Sequence, residues 1–110
     1  MIMTHDILVV EDEQTVLQAV KMVCSKEGMS VIAVDNAREG LQRVRDNSFR
    51  LVLCDIMMHE LDGFQFLEAL NQSGIHVPVV MMTGYSTVEN AVKSLAAGAI
   101  DYMPKPFTAD

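Results

Sequence analysis

Apolar residues along the chain are grouped into short runs separated by longer mixed segments. Five runs have the length of β-strands, and they cover residues 7–10, 31–34, 51–54, 77–82 and 100–103. Four consecutive apolar residues leave no polar face for water, which is typical of a strand covered on both sides. The pattern therefore predicts five buried strands.

Apolar residues at helical spacing fill the segments between these runs. The four stripes consist of Val16, Val20, Val23 and Cys24, then Leu41 and Val44, then Phe64, Leu67 and Leu70, and finally Val88, Ala91, Val92 and Leu95. The expected cap residues are Gly28 and Gly98 at C-terminal ends, and at N-terminal ends the pairs Asn36 with Glu39 and Ser86 with Glu89. The sequence thus alternates strands with helices.

This alternation predicts the fold class. Strands separated by helices pair in parallel through right-handed crossovers, which gives a doubly wound α/β sheet covered on both faces. At 110 residues, of which 50% are hydrophobic, the chain is expected to form one domain. Folds of this kind bind their ligands at the carboxyl ends of the strands. The residues at those ends are therefore the candidates for function.

Charge and composition exclude several classes of function. The formal net charge of −7, with no cluster of Lys or Arg, argues against direct contact with nucleic acid. The first residues lack a basic region and the apolar runs are only strand-sized, so neither a signal peptide nor a membrane span is predicted. Cys24 and Cys54 lie in apolar surroundings without metal-ligand spacing and are expected to be free buried thiols.

Polar groups stand at four of the five predicted strand ends. They are Glu11, Asp12 and Glu13 after the first run, Asp55 at the end of the third, Thr83 at the end of the fourth and Lys105 shortly after the fifth. In a parallel sheet these ends share one edge, where several carboxylates would repel one another without a cation. Carboxylate oxygens completed by water and a phosphoryl group suit Mg²⁺. Taken singly, however, acids after a strand are also common as helix caps or solvated loop residues.

Four segments together resemble the receiver domain of two-component response regulators, and the resemblance extends over residues 7–107. The segments are ILVVEDE, LVLCDIMMHELDG, VVMMTGYS and AAGAIDYMPKPF. The resemblance implies a five-stranded, flavodoxin-like sheet of order 2-1-3-4-5. It also implies a phosphoacceptor domain in a phosphorelay, a cytoplasmic signalling domain that assists its own phosphotransfer and dephosphorylation and is not a turnover enzyme.

The resemblance assigns a phosphoacceptor and a metal site. Asp55 would take a phosphoryl group from a phosphohistidine on a sensor histidine kinase or phosphotransfer protein. Asp12, Asp55 and the backbone carbonyl of Met57 would bind Mg²⁺ directly, while Glu11 would act directly or through water. This chemistry is reasonable because a carboxylate can be a covalent nucleophile toward phosphorus.

Three further residues receive roles from the same resemblance. Lys105 would hold one phosphoryl oxygen, Thr83 would hydrogen-bond another, and Tyr102 would change rotamer in response. The altered surface would then act on an output domain, a partner protein or a second copy. The resemblance also implies a cis peptide bond between Lys105 and Pro106.

Some positions depart from the family pattern. His59 stands where a proline is usual, so the loop after Asp55 is expected to be less constrained. We hypothesise that the bulk of Met57 and Tyr85 beside the phosphoryl group slows hydrolysis. Met57, Met58, Met81 and Met82 are also expected to fill the core.

The C-terminal end departs as well. Receiver domains have a fifth helix, whereas only three residues follow the Lys-Pro-Phe segment here. We therefore predict that residues 1–110 form a receiver domain truncated before its last helix. If the chain ends there, an apolar face would be uncovered, which predicts a homodimer or a swapped element.

Competing functions remain at this point. A dehalogenase-type phosphohydrolase also uses a strand-end aspartate and Mg²⁺, but it has a second aspartate two residues later, where this chain has Met57. A pseudo-receiver would bind partners without being phosphorylated. A nucleotide-binding module is disfavoured because the chain has neither a Walker-type glycine loop nor a dinucleotide fingerprint.

Overall fold

The structure is a computed structural model that describes residues 3–58, 60–84 and 87–105. Strands and helices alternate in the predicted order, as β1 (Met3–Val10), α1 (Gln14–Lys26), β2 (Val31–Val34), α2 (Ala37–Asp46), β3 (Asn47–Asp55), α3 (Gly63–Gln72), β4 (Val79–Thr83), α4 (Val88–Ala96) and β5 (Asp101–Pro104). All five predicted strands are present. Strand β4 begins at Val79 because Pro78 has no N–H to donate to a ladder.

The strands form one parallel sheet of order β2-β1-β3-β4-β5. This order confirms the predicted doubly wound fold. Strands β1 and β3 extend toward their N-terminal ends beyond the apolar runs, because Met3 pairs with Asn47 and Thr4 with Ser48. Backbone pairing therefore continues where the side chains are no longer apolar.

Helices cover both faces of the sheet. Leu8 and Val10 pack with α2 and α3, whereas Ile7 and Val9 point to the opposite face and pack with α1. Successive strand residues face opposite sides of a sheet, so two covered faces require apolar residues at every position. Cys24 and Cys54 are free and buried, as predicted.

Helix boundaries follow most of the predicted caps. The Asn36 side chain accepts a hydrogen bond from the Glu39 N–H at 2.8 Å, and Gly28 and Gly98 have φ values of 74° and 107°. The prediction of Ser86 as a cap was wrong, since α4 begins one residue later. Its N-cap is Thr87, whose hydroxyl accepts a hydrogen bond from the Asn90 N–H at 3.0 Å.

A reciprocal capping box that was not predicted from the sequence lies at the start of α3. The Asp62 carboxylate accepts from the Gln65 N–H at 2.9 Å, and the Gln65 side chain accepts from the Asp62 N–H at 2.8 Å. Two donors at the helix start are thereby satisfied. This capping box defines the start of α3, immediately after the loop that follows β3.

Two expectations about burial were wrong. The apolar residues of α4 face solvent, with Val88 exposed by 81%, Val92 by 60% and Leu95 by 54%, while Ser94 is buried. Burial of Ser94 is tolerated because its hydroxyl donates to the Asn90 carbonyl at 2.8 Å. Met57 is also exposed, since it lies in the loop beyond β3.

The burial of the other predicted core methionines agrees with expectation. Met81 and Met82 are fully buried, as predicted, and Met58 packs against the core from the loop. No helix in the described part of the chain has the length and hydropathy needed to cross a bilayer. His59, Tyr85 and Pro106, with the predicted cis bond, lie outside the described residues.

Candidate functional site

The carboxyl ends of the strands bring the candidate residues to one edge of the sheet. Glu11 follows β1 and continues its ladder, because its N–H donates to the Val34 carbonyl at 3.0 Å. Asp55 is the last residue of β3 and pairs with Met82, the penultimate residue of β4. Sheet hydrogen bonds thus hold the backbone of both acids.

Three acids converge at this edge. Glu11, Asp12 and Asp55 each offer a carboxylate oxygen within 4.8 Å of the others. Glu11 is 0% and Asp55 1% exposed, whereas Asp12 is half-buried. Burying carboxylates side by side is unfavourable unless a counter-charge is present. The convergence agrees with the predicted site and calls for a cation.

The side chain of Lys105 supplies one positive charge. Its Nζ lies 2.8 Å from Glu11 Oε1, 2.8 Å from Glu13 Oε1 and 3.0 Å from Asp55 Oδ2. Burial alone would lower the pKa of Lys105, but the contacts with Glu11, Glu13 and Asp55 outweigh it and raise the pKa above its ordinary value. The lysine is therefore fully charged at neutral pH.

One ammonium does not satisfy the acidic cluster. Burial and the neighbouring Asp55 raise the pKa of Glu11 from 4.5 to about 8. Its buried Oε1 atom forms an ion pair with the Lys105 ammonium at 2.8 Å, and Lys105 divides that charge among Glu11, Glu13 and Asp55. A buried carboxylate that shares a single ammonium with its acidic neighbours fits the oxygen ligand set of Mg²⁺.

The two oxygens of Asp55 are held in different ways. Oδ2 accepts from Lys105, and Oδ1 accepts from the Met57 N–H at 3.2 Å. The preceding Cys54 thiol is fully buried, and burial followed by the charge of Asp55 raises its pKa well above the ordinary value. This thiol is therefore a packing group, and Asp55 is the strand-end carboxylate that lies beside Lys105.

Gly63 leaves space for the backbone that carries Asp55. A Cβ at Gly63 would collide with the Asp55 carbonyl oxygen and would lie 2.6 Å from Met81 Cε and 2.9 Å from Ile56 Cα. The Gly63 N–H also donates to the Ile56 carbonyl at 2.8 Å. This role was not predicted, because the sequence shows only that a glycine follows Asp55 within the next segment.

Thr83 lies on β4, which pairs with β3, and Tyr102 lies on β5 at the edge of the sheet. Thr83 is fully buried at the end of β4, and its carbonyl accepts from the Lys105 N–H at 2.7 Å. The Tyr102 hydroxyl accepts from the Thr87 N–H at 3.1 Å, at the start of α4. Tyr102 is thereby linked to the helix that follows the loop after Thr83.

Glu13 belongs to the site although it was not proposed as a site residue. Its carboxylate accepts a hydrogen bond from Lys105 at 2.8 Å. The sequence placed Glu13 in the acidic run after the first strand, but it gave no reason to separate it from solvated loop acids. Only the position of Lys105 in three dimensions identifies the contact.

Comparisons with known sequences agree with this arrangement. The family model for the response regulator receiver domain matches residues 7–110. The chain is 40% identical over 111 residues to the transcriptional regulatory protein ZraR of Escherichia coli strain K12, an alignment that covers 98% of this chain and 25% of ZraR. It is 36% identical over 107 residues to the response regulator protein FleR of Pseudomonas aeruginosa, which covers 97% of this chain and 23% of FleR. The chain thus spans about a quarter of these relatives.

Solved structures give the same result. The receiver domain of NtrX from Brucella abortus superposes with a TM-score of 0.85 at 36% identity, covering 96% of this chain and 89% of that chain. The receiver domain of the Francisella response regulator 1452 superposes with a TM-score of 0.88 at 28% identity, covering 94% of this chain and 86% of that one. The chain belongs to the response regulator receiver domain family of two-component systems.

Proposed function

We propose that Asp55 accepts a phosphoryl group from a phosphohistidine of a partner kinase or phosphotransfer protein. Receiver domains of response regulators are signalling domains that work with histidine kinases and output domains, and they are not turnover enzymes. The observation that carries the proposal is the environment of Asp55. It is a buried strand-end carboxylate with Lys105 on one oxygen and a backbone N–H on the other.

Mg²⁺ is the proposed cofactor. Receiver domains generally bind this ion at an acidic pocket. We propose Glu11, Asp12, Asp55 and the backbone carbonyl of Met57 as its ligands here, with Glu11 acting directly or through water. The carboxylate oxygens of Glu11, Asp12 and Asp55, which lie within 4.8 Å of one another beside a single ammonium, support this choice. When bound, the ion would neutralise charge on the carboxylates and on the phosphoryl oxygens.

The proposed transfer uses few protein groups. A carboxylate oxygen of Asp55 attacks phosphorus, a P–O bond forms, the P–N bond to the donor imidazole breaks, and the bond's electrons leave with the imidazole. Phosphoryl transfer requires mainly alignment and neutralisation of charge. Lys105 already lies at Asp55 and would hold a phosphoryl oxygen. Asp55 needs no general base, because the carboxylate is the attacking form.

Conformational signalling is proposed to start at Thr83. Its hydroxyl would hydrogen-bond a phosphoryl oxygen once that group is present, which would shift the equilibrium of the loop after β4. The hydrogen bond between Tyr102 and the Thr87 N–H supports a link from this loop to α4. Tyr102 would change rotamer when α4 moves.

The output is proposed to come from another domain or another chain. The net charge of −7 disfavours direct contact of these residues with nucleic acid. The exposed side chains of Val88, Val92 and Leu95 on α4 offer an apolar surface for such a partner or for a second copy. We propose a cytoplasmic location for this receiver domain.

Phosphorylation can be tested with a small donor. The chain is incubated with Mg²⁺ and acetyl phosphate and its intact mass is measured, beside Asp55→Asn and, as a control, Asp46→Asn at the exposed end of α2. The wild type and Asp46→Asn should gain one phosphoryl group, Asp55→Asn none, and a chelator should prevent the gain. An unmodified wild type would instead favour a pseudo-receiver. Release of many molecules of inorganic phosphate per protein molecule would favour a phosphohydrolase.

A further inference from the structure

The carboxylate of Glu13 contacts the lysine that the proposed function reserves for a phosphoryl oxygen. Lys105 Nζ donates hydrogen bonds to Glu13 at 2.8 Å and to Asp55 at 3.0 Å, and it forms an ion pair with Glu11 at 2.8 Å. The Lys105 side chain is 12% exposed, and its ammonium has only three N–H donors. Three carboxylates therefore surround it before any phosphoryl group arrives.

A phosphoryl oxygen can reach Lys105 only if one of these contacts is given up. Glu11 is fully buried and cannot turn to water, and Asp55 is the residue that carries the phosphoryl group. The Glu13 side chain is 59% exposed, so its carboxylate can be solvated after it leaves. The contact with Glu13 is thus the one that is lost most easily.

The start of α1 offers the released carboxylate a second favourable position. Glu13 is the N-cap of α1, yet its side chain makes no capping hydrogen bond while it is held at Lys105. The first turn of α1 contains no acidic residue. A negative charge near the N-terminus of a helix is stabilised by the unpaired amides and the helix dipole. Two positions separated by side-chain rotation are therefore available to Glu13.

We propose that Glu13 is a positioning residue that competes with the phosphoryl group for Lys105. In the unphosphorylated domain it holds the ammonium, and it moves away when the phosphoryl group binds there. The inference rests on the proposed function, because it needs a phosphoryl group on Asp55. It predicts that Glu13 slows phosphorylation by adding a contact that must break.

The rate of phosphorylation tests this competition. With acetyl phosphate and Mg²⁺, Glu13→Gln should be modified about fivefold faster than wild type, with a smaller difference at high salt because salt screens the exposed carboxylate of Glu13. Glu60→Gln is the matched control, since Glu60 is 68% exposed and pairs with Arg38 at 3.3 Å. It should react at the wild-type rate. Equal or slower modification of Glu13→Gln would overturn the proposal.

A third variant separates the contact from the charge. Glu13→Asp keeps the negative charge but is one methylene shorter, and an aspartate at an N-cap bonds to its own helix. If the contact matters, this variant should also be faster than wild type. If it matches the wild-type rate while Glu13→Gln is faster, simple charge repulsion explains the data and the proposal fails.

A direct readout of the hydrogen bond completes the test. Nuclear magnetic resonance coupling between Lys105 Nζ and the Glu13 carboxyl carbon should be present in the unphosphorylated protein and absent after phosphorylation. Coupling that persists in the phosphorylated protein would overturn the competition. A wild type that takes up no phosphoryl group would contradict the proposed function itself. Uptake with equal rates for wild type and Glu13→Gln would contradict only the role of Glu13.

Discussion

Lys105 Nζ lies 3.0 Å from Asp55 Oδ2, although the two residues are 50 positions apart in the sequence. The contact depends on β4, the strand between them. The backbone N–H of Lys105 donates to the Thr83 carbonyl at the end of β4, and Asp55 pairs with Met82 on the same strand. The sheet therefore positions both charges at once, so the site is largely formed before any ligand binds.

Removing the ammonium should destabilise the fold. Lys105→Met keeps the length of the side chain but leaves Glu11 and Asp55 buried without their cation. We expect a loss of about 3 kcal/mol in the free energy of unfolding without Mg²⁺ near neutral pH. Urea denaturation measures it. Lys21→Met, at an exposed position of α1, should change stability by less than about 0.5 kcal/mol. Equal stability of the two variants would show that Lys105 does not balance the buried acids.

Stabilisation by Mg²⁺ should increase with pH. The folded pKa of Glu11, about 8, exceeds its ordinary 4.5. Between these values the metal-free folded state binds more protons than the unfolded state, so this group lowers stability as pH rises. Mg²⁺ requires the ionised carboxylate and displaces the proton, so its affinity should rise up to about pH 8.

Thermal unfolding with and without saturating Mg²⁺ measures this effect. The increase in Tm should be larger at about pH 9 than at about pH 6. Glu11→Gln, which has no proton to release at this position, should show a smaller increase with little dependence on pH. The same increase at both pH values in the wild type would contradict the assignment of Glu11 to the site.

Space at Gly63 should be essential for the position of Asp55. Gly63→Ala places a methyl group against the Asp55 carbonyl and Met81, both of which are packed in the core. We expect a loss of about 3 kcal/mol in unfolding free energy and weaker Mg²⁺ binding. Gly84→Ala is the control, because its Cβ would meet nothing within 4 Å. If the two variants are equally stable, the backbone around Asp55 can relax and the close packing is not required.

The sequence predicted the sheet and the acidic edge because both depend on periodic properties of the chain. Buried apolar runs such as residues 51–54 identify strands. Parallel pairing of those strands brings Glu11 and Asp55 together, and this does not depend on the conformation of the loops. Glu11, Asp12, Asp55 and Lys105 were all predicted from their places at strand ends. The resemblance to receiver domains added the strand order and the proposed role of each residue.

Other features could not be predicted from local patterns. The apolar stripe of α4 was expected to face the core, but the orientation of a helix about its axis depends on tertiary packing. The buried side of α4 instead carries Ser94, whose hydroxyl is hydrogen-bonded to the Asn90 carbonyl. Met57 follows a buried strand yet lies beyond its end. Glu13 was recognised only after Lys105 could be placed in space. The role of Gly63 was not predicted because the hydropathy pattern carries no information about the space available to a side chain.

The contact between Tyr102 and α4 should protect the start of that helix. Tyr102→Phe removes the acceptor of the Thr87 N–H and keeps the ring. Hydrogen exchange at the Thr87 amide should become about threefold to tenfold faster, since a single modest hydrogen bond is lost. The amides of α3 serve as an internal control and should not change. Unchanged exchange at Thr87 would remove the structural link between Tyr102 and α4.

The identity of the phosphorylated residue is the most direct test of the account. After reaction with acetyl phosphate and Mg²⁺, borohydride reduces an acyl phosphate of aspartate to homoserine, and peptide mass spectrometry locates the product. We predict homoserine at position 55 and intact aspartate at position 12. Reduction at Asp12, at another acid or at none would contradict the claim that the strand-end carboxylate beside Lys105 receives the phosphoryl group.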